Sequence, residues 1–458
     1  MSTYYNDIIM AKRCQSTYKS NELKGYKMKL NGTAKIEKNG ILSIGGCNSI
    51  DLVKTHGTPL FVYDEELIRT QCKRFHNALS STGLKYHISY ASKAFLCKEM
   101  ARLAKEENLG LDVVSIGEIY NALSADFPAE NMHFHGNNKT DQEIMYAIEK
   151  NIGLFVIDSF SEIDRIEAIA ENNNKKIKAL LRITPGVEAH THEFITTGNT
   201  DSKFGLNIDN GQAKIAIEKI LQTKNISLQG VHFHIGSQIF GTEGTRHAID
   251  KVFSWLNTLK SELGFSAKVL NIGGGFGIRY TEEDVSYPIE DAINEIAESL
   301  KSSSEKFALD IPEIWIEPGR SIVGEAGYTL YKVGTIKEIP NVRNYVSIDG
   351  GMSDHIRTAL YDAKYEVAIA NKMDSSANYL ATIVGKCCES GDIIAKDVYI
   401  QNPEINDIAV VSCTGAYHYS MASNYNQMTR PAVIFVRDGK DKVVIKRESL
   451  EDLLKNQI

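Results

Sequence analysis

The sequence has no run of about 18 apolar residues, the length that a helix needs to cross a membrane, so we expect no transmembrane segment. Its N-terminal segment, MSTYYNDIIMAKRCQSTYKS, has no apolar stretch of the kind found in secretory signals, and we expect no signal peptide. Cysteine is scarce, with seven in 458 residues, and Cys387 and Cys388 are adjacent. This odd number and this spacing favour neither a disulfide framework nor a zinc site. We therefore predict a cytoplasmic protein without a metal site.

An excess of positive charge is also missing. The formal net charge is -7, and the lysines and arginines are scattered rather than clustered. Such a chain offers no broad basic surface, so we expect neither nucleic acid nor a membrane as a partner. Hydrophobic residues make up 43% of the chain and charged residues 24%, which is typical of a globular protein. With 458 residues, the chain is long enough for two domains.

The hydrophobic pattern divides the chain into four segments. Residues 1–24 are predicted to be an irregular extension, and residues 25–54 to hold N-terminal strands, since 28–48 alternate around an Asn39-Gly40 turn. From 55 to 320, eight short apolar runs alternate with helical patterns, which predicts a (β/α)8 barrel. Residues 321–458 return to alternation and predict an all-β domain that the N-terminal hairpin completes. The predicted fold class is α/β, a barrel inserted between two parts of a β-domain.

Reactive or glycine-rich residues follow nearly every predicted barrel strand. Catalytic residues of such barrels gather at the carboxyl ends of the strands, so this position predicts an active site. The residues are Lys93, Asp112, His135-Gly136-Asn137, Asp158, Arg182, His234, Gly273-Gly274-Gly275 and Glu317-Pro318-Gly319-Arg320.

The glycine run at 273–275 is the first candidate binding element. Glycines let the backbone approach a ligand closely, and successive N–H groups can hold an anion such as phosphate, although a tight turn is the alternative. The loop is not G-x-G-x-x-G and no ribose-binding acid follows it, so a dinucleotide site is disfavoured.

Lys93 is the second candidate, although residue type alone favours a surface lysine at a strand end. Opposite a phosphate loop, it fits a Schiff base with pyridoxal phosphate, which requires an amine, a phosphate cradle and a partner for the pyridine nitrogen. Glu317 is the candidate partner. His234 is either a core histidine or a side chain that lies against the ring.

Eight segments together resemble the motifs of the barrel-type (fold type III) pyridoxal-phosphate-dependent decarboxylases, and within these the diaminopimelate decarboxylases. The resemblance covers about residues 28–450; CESGD and the GAY…MASNYN segment are its more specific parts. It implies decarboxylation of meso-2,6-diaminopimelate to L-lysine and CO2, the last step of lysine biosynthesis. The segments are YASKAF, HGNNK, TGNTDSKFG, VHFHIGSQI, NIGGGFG, EPGRSIV, CCESGD and GAYHYSMASNYN.

The resemblance also implies roles for single residues. Lys93 would carry the cofactor, His234 would stack on its ring, and the Glu317 side chain would pair with the pyridine nitrogen. The phosphate would be held by Ser237, Gly273, Gly274 and Gly275, with the backbone of Glu317, Pro318, Gly319 and Arg320. Substrate and neighbouring groups would be bound by Arg320, Arg357, Tyr361, Glu389 and Tyr417, of which Tyr417 also reaches the cofactor. Cys388 would be the general acid that protonates the carbanion carbon.

In this family the counterparts of Cys388 and Glu389 come from the partner subunit, so the resemblance implies a homodimer with shared active sites. From spacing alone, Cys387 and Cys388 are instead a pair in a β-strand. One departure from the wider group is Ala94-Phe95, where many members have Ala-Asn. Residues 1–24 match no motif.

Three alternatives remain open at this point. A related decarboxylase could act on ornithine, arginine or carboxynorspermidine, but a diamine acid such as ornithine has no distal carboxylate for Arg320 and Arg357 to bind. An amino-acid racemase on the same barrel would need a second acid or base opposite Lys93, and none is evident. A non-catalytic protein that binds pyridoxal phosphate would not need the substrate-side residues.

Overall fold

The computed structural model describes residues 28–187, 201–285 and 287–458, so the predicted extension 1–24 lies outside them. The predicted N-terminal hairpin is present and gains a third strand. Strands β1 (Lys35–Ile36), β2 (Leu42–Ile44) and β3 (Cys47–Asn48) form a small antiparallel sheet. Gly40 takes a φ of 76° in the turn between β1 and β2, a conformation that favours glycine. The buried side chains of β2 pack against the β-domain core.

The barrel does not begin at residue 55, as predicted, but about ten residues later. Helix α1 (Ser49–His56) comes first, capped by the Asn48 side chain, and β4 (Leu60–Asp64) follows. β4 pairs antiparallel with residues 327–330 and parallel with residues 432–436, so it belongs to the β-domain. All five β4 residues are buried, and a strand buried on both faces has the same apolar pattern as a barrel strand. The main β-domain sheet therefore receives β4, while the hairpin forms a separate sheet beside it.

The eight predicted apolar runs form the eight strands of a closed parallel barrel. Each strand pairs with its neighbours in the order of the chain, and pairing between β8 and β9 and between β13 and β5 completes the circle. A two-residue strand, β10 (Leu206–Asn207), is added beside β9. The barrel strands are β5 (Tyr86–Ala91), β6 (Gly110–Val113), β7 (Met132–Phe134), β8 (Leu154–Ile157), β9 (Ile177–Thr184), β11 (Ile226–His232), β12 (Val269–Asn271) and β13 (Glu313–Ile316).

Amphipathic helices surround the barrel and bury their apolar faces on it. In α6, for example, Ile163, Ile166 and Ala170 are buried at helical spacing, and the Ser159 side chain caps the N-terminus. The helices are α2 (Glu65–Ser81), α3 (Lys98–Glu106), α4 (Ile116–Leu123), α5 (Asp141–Glu149), α6 (Phe160–Asn172), α7 (Gln212–Gln222), α8 (Glu243–Leu263) and α9 (Ile289–Phe307). None of the helices in the described ranges is long and apolar enough to cross a membrane.

The second domain is a β-structure organised by one long strand, β14 (Gly327–Ile339). The first half of β14 pairs with β4 and β19, and its second half pairs with β15. The other strands are β15 (Arg343–Ile348), β16 (Val367–Ile369), β17 (Tyr379–Val384), β18 (Ile393–Ile400), β19 (Ile408–Val411), β20 (Ala432–Arg437) and β21 (Lys440–Ile445). Three short helices accompany them, α10 (Arg320–Val323), α11 (Arg357–Tyr361) and α12 (Leu450–Leu454).

The barrel and the β-domain share a continuous hydrophobic core. Phe95, just after Lys93, stacks on Tyr63 of β4 with ring centroids 4.4 Å apart, and it also meets Tyr419 and Phe435 edge-on or tilted. The departure from the family motif at this position therefore has a packing role. It fixes the end of β5 against the second domain.

Candidate active site

A cavity of about 500 Å³ opens at the carboxyl ends of the barrel strands, where the sequence predicted the active site. It brings together most of the predicted site residues from both domains. These are Lys93, His234, Ser237, Gly274, Gly275, Glu317, Gly319, Arg320, Arg357, Tyr361 and Tyr417. Gly273 and Pro318 are next to lining residues in the chain but do not line the cavity themselves.

Lys93 lies in the middle of a single 3-10 turn that follows β5. Its neighbours Ser92 and Ala94 are buried, while the Lys93 side chain is exposed to the cavity. The turn is held by the β-domain, because the Tyr417 N–H donates to the Ala94 carbonyl at 2.9 Å. The Ser420 hydroxyl donates to the same carbonyl at 3.1 Å. The lysine is therefore a cavity residue on a fixed backbone rather than a group on the outer surface.

Glu317 lies on the cavity floor and is 8% exposed. One carboxylate oxygen, Oε1, accepts a hydrogen bond from the Asn271 amide at 2.6 Å and lies 3.1 Å from His135 Nε2. The other, Oε2, lies 3.1 Å from His232 Nε2. Asp112 is the next residue outward, 3.4 Å from His135 Nε2. From the sequence, Asp112 and His135 were expected at strand ends without a role, and His232 and Asn271 were not predicted as site residues.

His232 and Asn271 could have been recognised from the sequence. Side chains two residues apart on a strand point to the same side, so His232 faces the barrel interior together with His234. Strand pairing places Asn271 beside His232, and Trp315 beside Asn271. A polar side chain at an inward position of a barrel needs a polar partner, and for Asn271 the acid at the end of the neighbouring strand β13 is Glu317.

In this cluster the pKa values of Glu317 and His232 are lowered, and the pKa of His135 is raised. Burial alone would raise the pKa of Glu317, but the neighbouring His135 and His232 outweigh it and hold that pKa well below its ordinary value. For His135, burial would lower the pKa, yet Asp112 and Glu317 raise it above the ordinary value. Burial lowers the pKa of His232 to about 4 despite Glu317. These shifts favour an ionised Glu317 and a neutral His232, and the neighbouring acids favour a proton on His135.

The glycine loop after β12 lies between the ends of two neighbouring strands. Gly273 and Gly275 have φ values of 73° and 101°, which side chains rarely adopt. A Cβ atom on Gly274 would collide with the Glu317 carbonyl. The Gly274 N–H donates to His234 Nδ1 at 3.3 Å, which orients that imidazole at the cavity wall. The loop thus brings bare backbone to the cavity, as a phosphate cradle requires.

Arg320 and Arg357 reach the same cavity, a relation that the sequence left open. Arg320 is 6% exposed, donates to the Tyr280 hydroxyl and to Ser237 Oγ (3.1 Å), and lies over the Tyr417 ring. Arg357 donates to the Tyr365 hydroxyl at 3.0 Å and lies 4.9 Å from the Tyr361 ring centroid. Arg357 and Tyr361 therefore share one face of α11, as their spacing predicted.

Tyr417 stands between the two arginines on a strained backbone. Its φ of 62° is in the left-handed region, which is uncommon for a bulky residue. Arg320 and Arg357 lie 4.8 and 5.4 Å from its ring centroid. Strain of this kind persists where the surroundings fix it, and here the backbone hydrogen bond to Ala94 contributes.

Cys388 and Glu389 are predicted site residues that lie outside the cavity of their own chain. Both are exposed, in the loop between β17 and β18, whereas Cys387 is buried. Asp392 organises this loop by accepting the N–H groups of Cys387 at 2.7 Å and Met352 at 2.6 Å. The Cys388 N–H donates to Asn426, so the CESGD and MASNYN segments meet. The loop is thus a fixed surface feature that presents a thiol and a carboxylate outward.

These residues fit pyridoxal phosphate. An amine faces the cavity, a buried carboxylate lies on its floor, and a glycine loop lies at its wall, which are the three elements that this cofactor requires. His135, His232 and Glu317 also bring potential metal ligand atoms within 4.8 Å of one another. Each histidine Nε2 lies 3.1 Å from a Glu317 oxygen, which is a hydrogen-bond distance.

Comparisons with known proteins agree with this geometry. Residues 65–324 match the family model described as the pyridoxal-binding domain of pyridoxal-dependent decarboxylases. The diaminopimelate decarboxylase of Staphylococcus aureus is 55% identical over 425 residues, 93% of this chain and 99% of the relative. That of Bacillus subtilis is 52% identical over 428 residues, 93% of this chain and 98% of the relative.

Among solved structures, a diaminopimelate decarboxylase from M. jannaschii in complex with L-lysine has a TM-score of 0.87 and 34% identity. The match covers 94% of this chain and 99% of that one. The predicted barrel with a β-domain, the pyridoxal phosphate cofactor and the family resemblance are thereby confirmed. The chain belongs to the pyridoxal-dependent decarboxylases and, within them, to the diaminopimelate decarboxylase family.

Proposed function

We propose that this protein decarboxylates meso-2,6-diaminopimelate to L-lysine and CO2, the last step of lysine biosynthesis, with pyridoxal phosphate as cofactor. The observation that carries the proposal is the presence of Arg320 and Arg357 in one cavity with Lys93. Relatives more than 50% identical over most of the chain are diaminopimelate decarboxylases. A relative from Helicobacter pylori, 32% identical with a TM-score of 0.81, was solved in complex with L-lysine.

In this proposal each residue has a definite task. When bound, pyridoxal phosphate supplies an electron sink for the bond to the departing carboxylate. Lys93 holds the cofactor and exchanges with the substrate amine. The ionised Glu317 keeps a proton on the pyridine nitrogen, because a carboxylate beside a base favours its charged form. His234 lies against the ring, and the glycine loop with Ser237 holds the phosphate.

The two arginines would select the substrate by its distal carboxylate. A hydrogen bond to a charged group contributes about 1.5–3 kcal/mol, and a buried arginine left without its partner loses that contribution. Loss of each contact should lower kcat/KM by roughly 10- to 100-fold. A diamino acid without this carboxylate, such as ornithine or lysine, is disfavoured for this reason.

We further propose a homodimer in which Cys388 and Glu389 of each subunit complete the cavity of the other. Support comes from their position, since both are exposed on an ordered loop and outside the cavity of their own chain. Cys388 would deliver the proton to the substrate carbon, and a thiol is mostly protonated near neutral pH. Glu389 would bind the distal ammonium. The cytoplasmic location and the absence of nucleic-acid and membrane partners stay predictions.

The decisive experiment is CO2 release from meso-diaminopimelate, ornithine, arginine and lysine, measured side by side with the same enzyme preparation. We expect turnover of diaminopimelate and at least roughly 100-fold lower kcat/KM for the other three, from the loss of one or two charged contacts. Turnover of ornithine without turnover of diaminopimelate would overturn the substrate assignment and leave the decarboxylase assignment intact.

A further inference from the structure

The carboxylate of Glu317 is enclosed by three side chains from three different strand ends. Asn271 and His135 contact Oε1 at 2.6 and 3.1 Å, and His232 contacts Oε2 at 3.1 Å. Asn271 is fully buried, His232 is 1% exposed and His135 is 4% exposed. These three contacts set the plane of the carboxylate, and the two histidines favour its charged form.

We propose that His135 and His232 are positioning residues that hold the Glu317 carboxylate, in its ionised form, toward the ring nitrogen of the cofactor. The inference rests on the proposed function in one respect, since it takes Glu317 as the partner of that nitrogen. The two imidazoles approach opposite oxygens, so together they prevent rotation of the carboxylate about its own axis. Their rings are in turn packed edge to face, with centroids 5.0 Å apart.

The surrounding charges give the two histidines different tasks. Asp112 lies 3.4 Å from His135 Nε2 and favours a proton on that ring. Protonated His135 would thus offset the burial cost of the Glu317 anion, which is large for an uncompensated charge. His232 has no comparable acid besides Glu317 among its described contacts, and burial keeps it neutral, so it contributes a directed hydrogen bond.

The arrangement also explains why Glu317 can serve its role in the apolar part of a barrel. Leu154, Val156, Leu180 and Val269 of the barrel strands form a small apolar cluster, and Trp315, two residues before Glu317, packs against it. A lone carboxylate next to such a cluster would take up a proton and become a hydrogen-bond donor. With His135 and His232 present, it stays an acceptor that faces the cavity.

The test is a double-mutant cycle on cofactor binding. His135→Asn, His232→Asn, Glu317→Gln and the two double variants are prepared as holoenzymes. The dissociation constant of pyridoxal phosphate is then measured by dialysis against graded cofactor concentrations. We expect each histidine variant to bind the cofactor about 10- to 100-fold more weakly, by analogy with residues that orient metal-binding side chains. In the Glu317→Gln background the same changes should have less than about a 2-fold effect, because the group they act through is gone.

A spectroscopic measurement separates positioning from a structural role. The absorbance of the bound cofactor is titrated against pH. The midpoint of this titration should shift in His135→Asn and should stay at the wild-type pH in the control His87→Asn. His87 is a matched control because its ring packs on Trp315 at 4.7 Å in the same barrel, without a described contact to Glu317. Melting temperatures show whether a variant is folded.

Additive effects in the cycle, or a control that shifts like His135→Asn, would overturn the proposal. The Glu317 carboxylate is contacted from separate strands by His135, His232 and Asn271. Asn271→Ser therefore serves as a third variant, and any one of the three variants that folds completes the cycle. Cofactor binding is measured without substrate. A wild-type enzyme that fails to turn over diaminopimelate would therefore refute the proposed substrate without affecting this result.

Discussion

At the scale of single residues, the Lys93 amine is the group on which the proposed chemistry depends. Reduction of the holoenzyme with borohydride should attach the cofactor to Lys93, and Lys93→Ala should abolish this adduct because Lys93 is the lysine among the described residues that line the cavity. Peptide mass spectrometry locates the adduct in the sequence. Lys98→Ala, an exposed lysine five residues later, should keep the adduct. An adduct on another lysine in Lys93→Ala would refute the assignment.

Arg357 offers a second test at this scale, directed at the substrate. Arg357→Lys keeps the positive charge but removes the fork that lets one side chain bind both Tyr365 and a carboxylate. We expect kcat/KM for diaminopimelate to fall by about 10- to 100-fold, mostly through KM, with cofactor absorbance unchanged. Steady-state kinetics checks this. Arg343→Lys, at a partly exposed arginine paired with Asp397, is the control and should behave as wild type.

At the scale of elements, the loop after β7 is held by a buried ion pair. Lys139 is 2% exposed and donates to Glu162 at 2.6 Å and to the carbonyls of Gly136 and Val156 at 2.8 and 2.7 Å. All three ammonium protons are therefore used. The Lys139–Glu162 pair fixes the segment HGNNK, residues 135–139, and so holds His135 at the cavity.

Lys139→Met should lower the free energy of unfolding by about 3–5 kcal/mol, because it leaves Glu162 as a buried charge without a partner. Urea denaturation measures this. The double variant Lys139→Met with Glu162→Gln should recover at least half of the loss, since the amide oxygen can still accept the Asp158 N–H. Equal instability of the single and double variants would argue against an electrostatic origin.

Asp354, in the segment that leads to α11, gives the protein a pH-dependent stability. It is 2% exposed, and burial raises its pKa from 3.8 to about 7, although Tyr331 and Gly351 donate hydrogen bonds to it. The folded protein therefore holds this proton more tightly than the unfolded chain does. Stability from this group is present below pH 4 and is lost as the pH rises toward 7.

Wild type should thus lose stability relative to Asp354→Asn between about pH 4 and pH 7, by up to about 4 kcal/mol. Urea unfolding of both proteins across this range, at constant ionic strength, provides the comparison. The difference between the two proteins is the relevant quantity, because it cancels the titration of all other groups. Parallel stability profiles would show that Asp354 titrates normally.

Elements differ in how far the sequence predicts them. The eight barrel strands were predicted because each is a short apolar run followed by an amphipathic helix, and local pattern decides both. β4 has the same local pattern as a barrel strand, and only its long-range pairing with β14 and β20 assigns it to the other domain. The contacts of Glu317 were missed for the same reason, since four strand ends meet there from distant parts of the sequence.

At the scale of the whole molecule, the proposed shared site can be tested by mixing inactive subunits. Lys93→Ala and Cys388→Ala should each be nearly inactive, for different reasons. In a mixed dimer with sites built from both chains, one site would have both residues intact, so an equal mixture should regain about a quarter of wild-type activity. Activity after co-refolding, against each variant alone, is the measurement. If no activity is recovered, either Cys388 and Lys93 of the same chain form one site, or the protein is not a dimer.

The position of β4 has a consequence for how the chain is made. β4 leaves the ribosome before the barrel, yet the strands on either side of it, β14 and β20, follow the barrel. At a synthesis rate of about 5–20 residues per second, this wait lasts roughly tens of seconds. During that time the segment LFVYD, buried at all five positions in the finished protein, has no sheet to join. Nascent chains stalled just before β14 should accordingly be the form of this protein that chaperones bind most strongly.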